Sequence, residues 1–308
     1  MTSKPNDSSV PISPGSLQTS DYSIADLRHI PRRHYGRWVA SVCLLAVFAY
    51  LVHAFATGDI EWKVVAQFFT AKAIMEGLVN TVIMTVLAML LGVTLGVIFS
   101  IMYMSPNPVL RYIAAFYIWF FRGTPVLLQL LIWFNLALVF PTIGIPGLFQ
   151  CKTVVLITPF IATLLGLGIN QGAYTAEVVR GGILSVDAGQ TEAAKSIGMT
   201  RLTTLRRIIL PQAMRVIIPP IGNEVISMVK LTSMASVIQY AEILRNAQSI
   251  YYANARVIEL LIVAAIWYLI VVTVLSIGQF FLERHFARGV AGEARERAKP
   301  VEVAEGEL

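Results

Sequence analysis

The chain has 308 residues, 56% of them apolar and 14% charged, with a net charge of +6 and a mean hydropathy of +0.69. Its apolar residues come in runs long enough to cross a bilayer, which excludes an ordinary soluble domain. The basic excess sits between those runs, so it reads as membrane topology and not as a nucleic-acid surface.

Residues 1–37 are rich in Ser, Pro and Asp and end in Arg28, Arg32, Arg33 and Arg37. They read as a disordered basic cytoplasmic tail. Residues 38–57 form a first apolar run, about 30 Å long as a helix. Ala54-Phe55-Ala56 looks like a signal-peptidase site, but the stretch before the run is too long for an ordinary signal peptide. Further spans are predicted at 77–102, 109–140, 154–180, 213–231 and 257–281. The expected fold is therefore an all-α polytopic membrane protein with about six transmembrane helices. The 109–140 segment is interrupted at Arg122-Gly123-Thr124-Pro125 and is predicted to be a short interfacial helix followed by a span. The 213–231 span carries Pro219, Pro220 and Gly222 and is expected to kink. Residues 286–308 read as a charged cytoplasmic tail. Placing both termini, the 103–111 turn and residues 180–215 inside puts 17 of the 24 basic residues there. Cys43 and Cys151 show no metal or disulfide spacing and read as buried thiols.

Residues 192–211, EAAKSIGMTRLTTLRRIILP, are the one long polar, basic insertion between apolar segments. Glu192, Ala193, Ala194 and Lys195 favour a helix, which Ser185 or Asp187 can cap. Gly198 can take the left-handed conformation that ends it. A second helix from about 201 to 209 is expected to stop near Pro211. Two short helices around a glycine bend make a compact knob, and paired alanines let it enter a narrow groove. The spacing of EAA, three residues, G, nine residues and I-x-LP resembles the cytoplasmic loop of permease subunits in bacterial ABC importers.

The flanking motifs resemble the polar amino-acid uptake branch of those permeases. They read GLVNTVIMTVL (77–87), FRGTPVLLQL (121–130), NQGAYTAEVVRGGI (170–183), PIGNE (220–224) and KLTSMASVI (230–238), then Glu242-Ile243-Leu244 and Glu283-Arg284. Leu231 and Met234 depart from the family pattern, and the first span lies outside it. The resemblance implies a five-helix permease core over 75–285, with coupling loop 183–211 and residues 38–57 as an accessory helix. It implies a dimer, with a second copy or a related permease, around a central path worked by alternating access. An ATP-binding ABC subunit would hold the loop through Glu192, Ala193, Ala194, Gly198 and Pro211. An extracytoplasmic amino-acid-binding protein would deliver the cargo across the bacterial inner membrane.

No G-x-x-x-x-G-K-[ST] phosphate loop, H-E-x-x-H pair or nucleophile elbow occurs. A catalytic, metal or cofactor site is therefore not expected, and ATP hydrolysis is assigned to another chain. Polar residues in spans are costly, by about 2.5–3.5 kcal/mol for a charge at the helix centre, so they are functional candidates. The candidates for the substrate path are Arg122, Gln129, Asn170, Glu177, Asn223, Glu224, Lys230 and Thr232. Most have a structural alternative: snorkelling for Arg122, interhelical hydrogen bonding for Asn170, pairing with Arg180 for Glu177, backbone support behind the double proline for Asn223 and Glu224, and anchoring of the helix for Lys230 and Thr232. The rival reading is an ion-gradient-driven secondary transporter, which would show paired repeats and broken helices.

Overall fold

The computed structural model describes residues 35–145 and 149–297; residues 1–34 of the expected N-terminal tail and 298–308 of the C-terminal one lie outside these residues, while 286–297 continue the last helix. The chain divides into two units, Met1–Asp59 and Ile60–Leu308. The described part of the first is one apolar helix of 23 residues, α1 (Tyr35–Thr57), long enough to span a bilayer.

The second unit begins with the short helix α2 (Trp62–Phe69) and the 32-residue α3 (Lys72–Tyr103). Asn107 then accepts a hydrogen bond from the N–H of Val109 at 2.9 Å, and Pro108 starts α4 (Pro108–Gly123). α5 (Val126–Phe134) follows at an angle of 103° to α4. A hairpin of β1 (Thr142–Ile145) and β2 (Phe149–Lys152) sets Ile143 opposite Cys151 and leads through α6 (Thr153–Leu156) into α7 (Pro159–Leu184). Next come α8 (Ala188–Ser196), α9 (Arg201–Thr204), a π turn over Leu205–Ile209 and α10 (Leu210–Leu231). A 3-10 segment (Thr232–Ile238), α11 (Ile243–Asn254) and α12 (Val257–Arg297) complete the described chain.

Three of these helices, α1, α3 and the Val257–Phe286 part of α12, are long and apolar enough to cross a membrane, and α4 with α5 makes a broken fourth. α7 and α10, at 26 and 22 residues, have the length but carry polar groups at mid-helix. Such residues are tolerated where they meet other helices or water. Four local expectations are corrected. The broken pair has its longer arm first, 16 residues before nine, because Pro125 ends the α-helical bonding early. The 154–180 span is split near Pro159, where Thr158 caps α7. The helix after Gly198 does not stop at Pro211 but runs on into α10. Neither cysteine is buried: Cys43 is exposed on α1, and Cys151 is half-buried in the hairpin.

α3 shows why the bundle closes. Its buried face is mostly small or polar, with Gly77, Thr81, Thr85, Ala88, Gly92, Gly96 and Ser100 beside the larger Ile74, Met84 and Met89, while Val79, Val86, Leu90 and Ile98 point outward. That is the reverse of a soluble helix, since lipid is as apolar as leucine and close backbone approach drives association. The main core joins Met84 and Ala88 of α3, Leu130 of α5, Leu167 of α7 and Met228 of α10.

A second junction is built around Glu242, which is fully buried. Its carboxylate caps α11, accepting from the N–H groups of Leu244 at 2.8 Å and Arg245 at 2.6 Å, and the Tyr268 hydroxyl of α12 also donates to it. Thr81 of α3 accepts from the N–H of Ile243 beside it, at 3.3 Å. Glu242→Ala is expected to cost about 1–3 kcal/mol by leaving these donors unpaired. Glu242→Gln, which keeps an acceptor, is expected to lose less; melting of the two purified variants in detergent checks the order.

Candidate functional site

The loop forms the expected knob. Asp187 caps α8 by accepting from the N–H of Gly189 at 2.7 Å. Gly198 lies at φ +78, and the N–H groups of Gly198 and Met199 return to the carbonyls of Lys195 (2.9 Å) and Ala194 (3.0 Å). This pair of bonds is the left-handed helix termination that glycine favours. Thr200 then caps α9, accepting from Thr203 N–H at 3.3 Å. Ala194 is buried inside the knob, whereas Glu192 and Ala193 are exposed. Beside them Ile197 and Leu202 are 76% and 74% exposed. Sequence reasoning does not single out these two residues; a large aliphatic on each side of the glycine bend is the available signal.

Pro211 produces the joint between knob and span. It has no N–H to offer the preceding turn, and the N–H of Leu210 bonds one residue further back, to the carbonyl of Leu205. The resulting π turn carries the helix through the proline. π turns of this kind recur at functional sites.

Gln129 and Asn170 meet at the helix break. The carbonyl of Phe121 would accept from residue 125 in a regular helix, but residue 125 is proline. Asn170 Nδ2 donates to it at 2.7 Å and Gln129 Nε2 at 3.1 Å. Gln129 also donates to the carbonyl and hydroxyl oxygens of Thr124, at 3.2 and 2.7 Å. Both amides therefore brace the bend. Gln129→Leu or Asn170→Leu alone is expected to lower stability by about 1–3 kcal/mol. The double variant should fall short of the sum, because both residues serve one carbonyl. Thermal unfolding of the four proteins in detergent reads this cycle.

Arg122, at the C-terminal end of α4, places its guanidinium 5.2 Å from the ring centre of Tyr174. Glu177 is paired with Arg180 at 2.6 Å, and Arg180 also lies 5.3 Å from the ring of Tyr103. Thr232 is buried and donates to the carbonyl of Val229 at 2.7 Å. These three residues are engaged within the subunit.

Glu224 and Asn223 are neighbours in sequence but face different helices. Glu224 turns to α7, where Gln171 donates to its Oε2 at 2.5 Å and Thr175 at 3.2 Å. Gln171 and Thr175 are held there because Gly92 and Gly96 let α3 press against them. Asn223 turns to α12 and donates to Glu283 at 3.0 Å. Along α10, Val216, Pro220, Asn223, Ser227 and Lys230 are all exposed. Their spacing of four, three, four and three residues makes one continuous stripe. Thr175 and Glu283 are site neighbours that lie inside the family motifs, yet nothing in the sequence alone assigns them a role.

Residues 88–288 match the family described as binding-protein-dependent transport system inner membrane component. The chain belongs to this family. The arginine transport system permease protein ArgU of Corynebacterium glutamicum is 41% identical over 261 residues, 84% of this chain and 83% of that one. The L-cystine permease TcyB of Bacillus subtilis is 40% identical over 75% of this chain and 94% of its own length. The permease also resembles a chain in the crystal structure of an amino acid ABC transporter with histidines, with 37% identity and a TM-score of 0.61 over 69% of this chain and 94% of that one. A methionine ABC transporter chain, MetNI, shares the fold at 17% identity and a TM-score of 0.57, over 70% and 97% of the two chains. The permease is thus a multi-pass inner-membrane transport subunit, and ATP hydrolysis belongs to a separate subunit.

Proposed function

We propose that the permease moves a polar amino acid along α10, with Glu224 holding the ammonium group and Lys230 meeting the carboxylate nearer the outer face. The observation that carries this is the state of Glu224. It is a mid-helix carboxylate with two neutral donors and, among the described residues, no cation within ion-pairing distance. Two amide and hydroxyl hydrogen bonds orient it without cancelling its charge, and a cargo ammonium completes it. The stripe through Asn223, Ser227 and Lys230 supports a watered path shared with a second permease, since acyl chains would penalise that face. Arg122, beside Tyr174, is a second cation for the carboxylate. The relatives are named for arginine, cystine and glutamine, each carrying both an ammonium and a carboxylate.

The exposed knob residues Ile197 and Leu202, with Glu192 and Ala193, sit in a groove of the ATPase subunit. Closure of the ATPases is passed through the π turn to α10, and energy enters as differential binding between inward and outward states. A binding protein docks on the outer face, both termini lie in the cytoplasm, and α1 is an accessory to the core. An ion-gradient carrier would use broken helices in corresponding halves; one broken pair, α4 with α5, occurs among the described residues.

Glu224→Gln keeps the size and the hydrogen-bonding shell. It is expected to lower uptake roughly ten- to hundredfold, the value of a charge-assisted bond. Radiolabelled amino-acid uptake into vesicles containing the permease, its ATPase and its binding protein is the measurement. Wild-type uptake by the variant would remove Glu224 from the path.

A further inference from the structure

We infer that Glu283 of α12 is a second cargo-binding carboxylate, one that receives the ammonium group on the cytoplasmic side of Glu224. This deepens the path proposed for α10 and rests on it. Asn223 Nδ2 donates to Glu283 Oε1 at 3.0 Å, and Gln279 Nε2 donates to the same oxygen at 2.8 Å. The second oxygen, Oε2, has no hydrogen-bond partner among the described residues, and no lysine or arginine lies within ion-pairing distance. A carboxylate keeps about four acceptor sites, so with Oε1 held by two donors Oε2 remains free to accept.

The attachment of Glu283 to α10 is fixed at more than one point. Gln279 also donates to the carbonyl of Pro219 at 2.8 Å, which ties α12 to the proline pair. Gly222 makes room for this, because a Cβ there would overlap the amide oxygen of Gln279. Glu283 is exposed, and its partner Asn223 stands on the exposed stripe with Ser227 and Lys230. Lys230 is seven residues from Asn223 along α10, about 10 Å by helical rise. The face therefore runs from a cation at the outer end to a carboxylate towards the inner end. A zwitterion leaving Lys230 and Glu224 finds its next ammonium acceptor at Glu283.

The alternative is that Glu283 only supports the Pro219 break. Glu283→Gln separates the two, because the amide oxygen still accepts from Asn223 and Gln279 while the charge is lost. The assay is equilibrium binding to the purified permease–ATPase complex without binding protein or nucleotide. The probe is whichever of the twenty radiolabelled L-amino acids is taken up fastest by vesicles holding the wild-type permease, its ATPase and its binding protein with ATP, alongside its deaminated analogue. Glu283→Gln is expected to weaken amino-acid binding at least tenfold, to leave the analogue's binding unchanged, and to keep the wild-type melting temperature. Unchanged binding of the amino acid, or a fall in melting temperature that accounts for the loss, overturns the assignment. Glu224→Gln in the same assay separates the failures: loss there with none at Glu283 keeps the path and rejects only Glu283, whereas no loss at either rejects both.

Discussion

Gly198→Val is expected to cut ATP-dependent uptake at least tenfold in permease that still inserts and purifies. The residue sits at φ +78, where an L side chain costs about 1–2 kcal/mol, and a β-branched one sits at the unfavourable end. A Cβ at this position meets nothing within 4 Å, so the penalty is purely one of backbone conformation. Relief of the strain breaks the returns to Lys195 and Ala194 and moves Ile197 relative to Leu202. In the proposed docking the knob then no longer matches its groove. Gly198→Asn is the control, since asparagine tolerates the left-handed region and should retain most uptake. Co-purification of the ATPase subunit with each variant, together with vesicle uptake, provides the readout. Normal uptake and attachment by Gly198→Val would show that the bend is not what couples the loop.

Gly96→Val is expected to damage the permease at an earlier stage, in folding. The added Cβ would lie 2.6 Å from both Cβ and Cγ2 of Thr175 and 3.0 Å from the backbone nitrogen of Ala176. A β-branched neighbour and a helix backbone cannot rotate aside, so α3 and α7 must separate. Overpacking of this kind costs about 1–3 kcal/mol, more where the approach of two backbones is itself the stabilising contact. Thr175 would also leave Glu224, to which it donates at 3.2 Å. A lower yield of monodisperse protein on size exclusion, a lower melting temperature and lost uptake are expected together. Gly181→Val, on the same α7 but with no atom within 4 Å of its added Cβ, is expected to fold normally.

The 183–211 loop was legible because its determinants are local. A capping aspartate, helix-forming residues and a glycine act within a few residues of each other, and Asp187 and Gly198 take the expected positions, whereas Ala194, expected to enter a groove beside Ala193, is buried inside the knob. The same local logic failed at Pro211. A proline removes one hydrogen bond, but whether the helix stops or shifts its bonding depends on how firmly the next turns are packed. Here α10 is anchored by Ala213 and Ile217 against Val179, and the helix continues through a π turn.

By itself the sequence determined the membrane class, the helical content, the break at Arg122–Pro125 and the family, since runs of apolar residues and fixed motif spacings are properties of the chain alone. The tertiary structure decided which polar residue serves which purpose. Gln129 and Asn170 read alike with Glu224 as intramembrane polar groups, yet both amides are committed to the carbonyl that Pro125 leaves open. Asn223 and Glu224 are adjacent, but a helix turns consecutive residues by about 100°, sending one to α12 and the other to α7. Charge and polarity are written in the sequence, whereas the partner of each group depends on contacts between helices far apart along it.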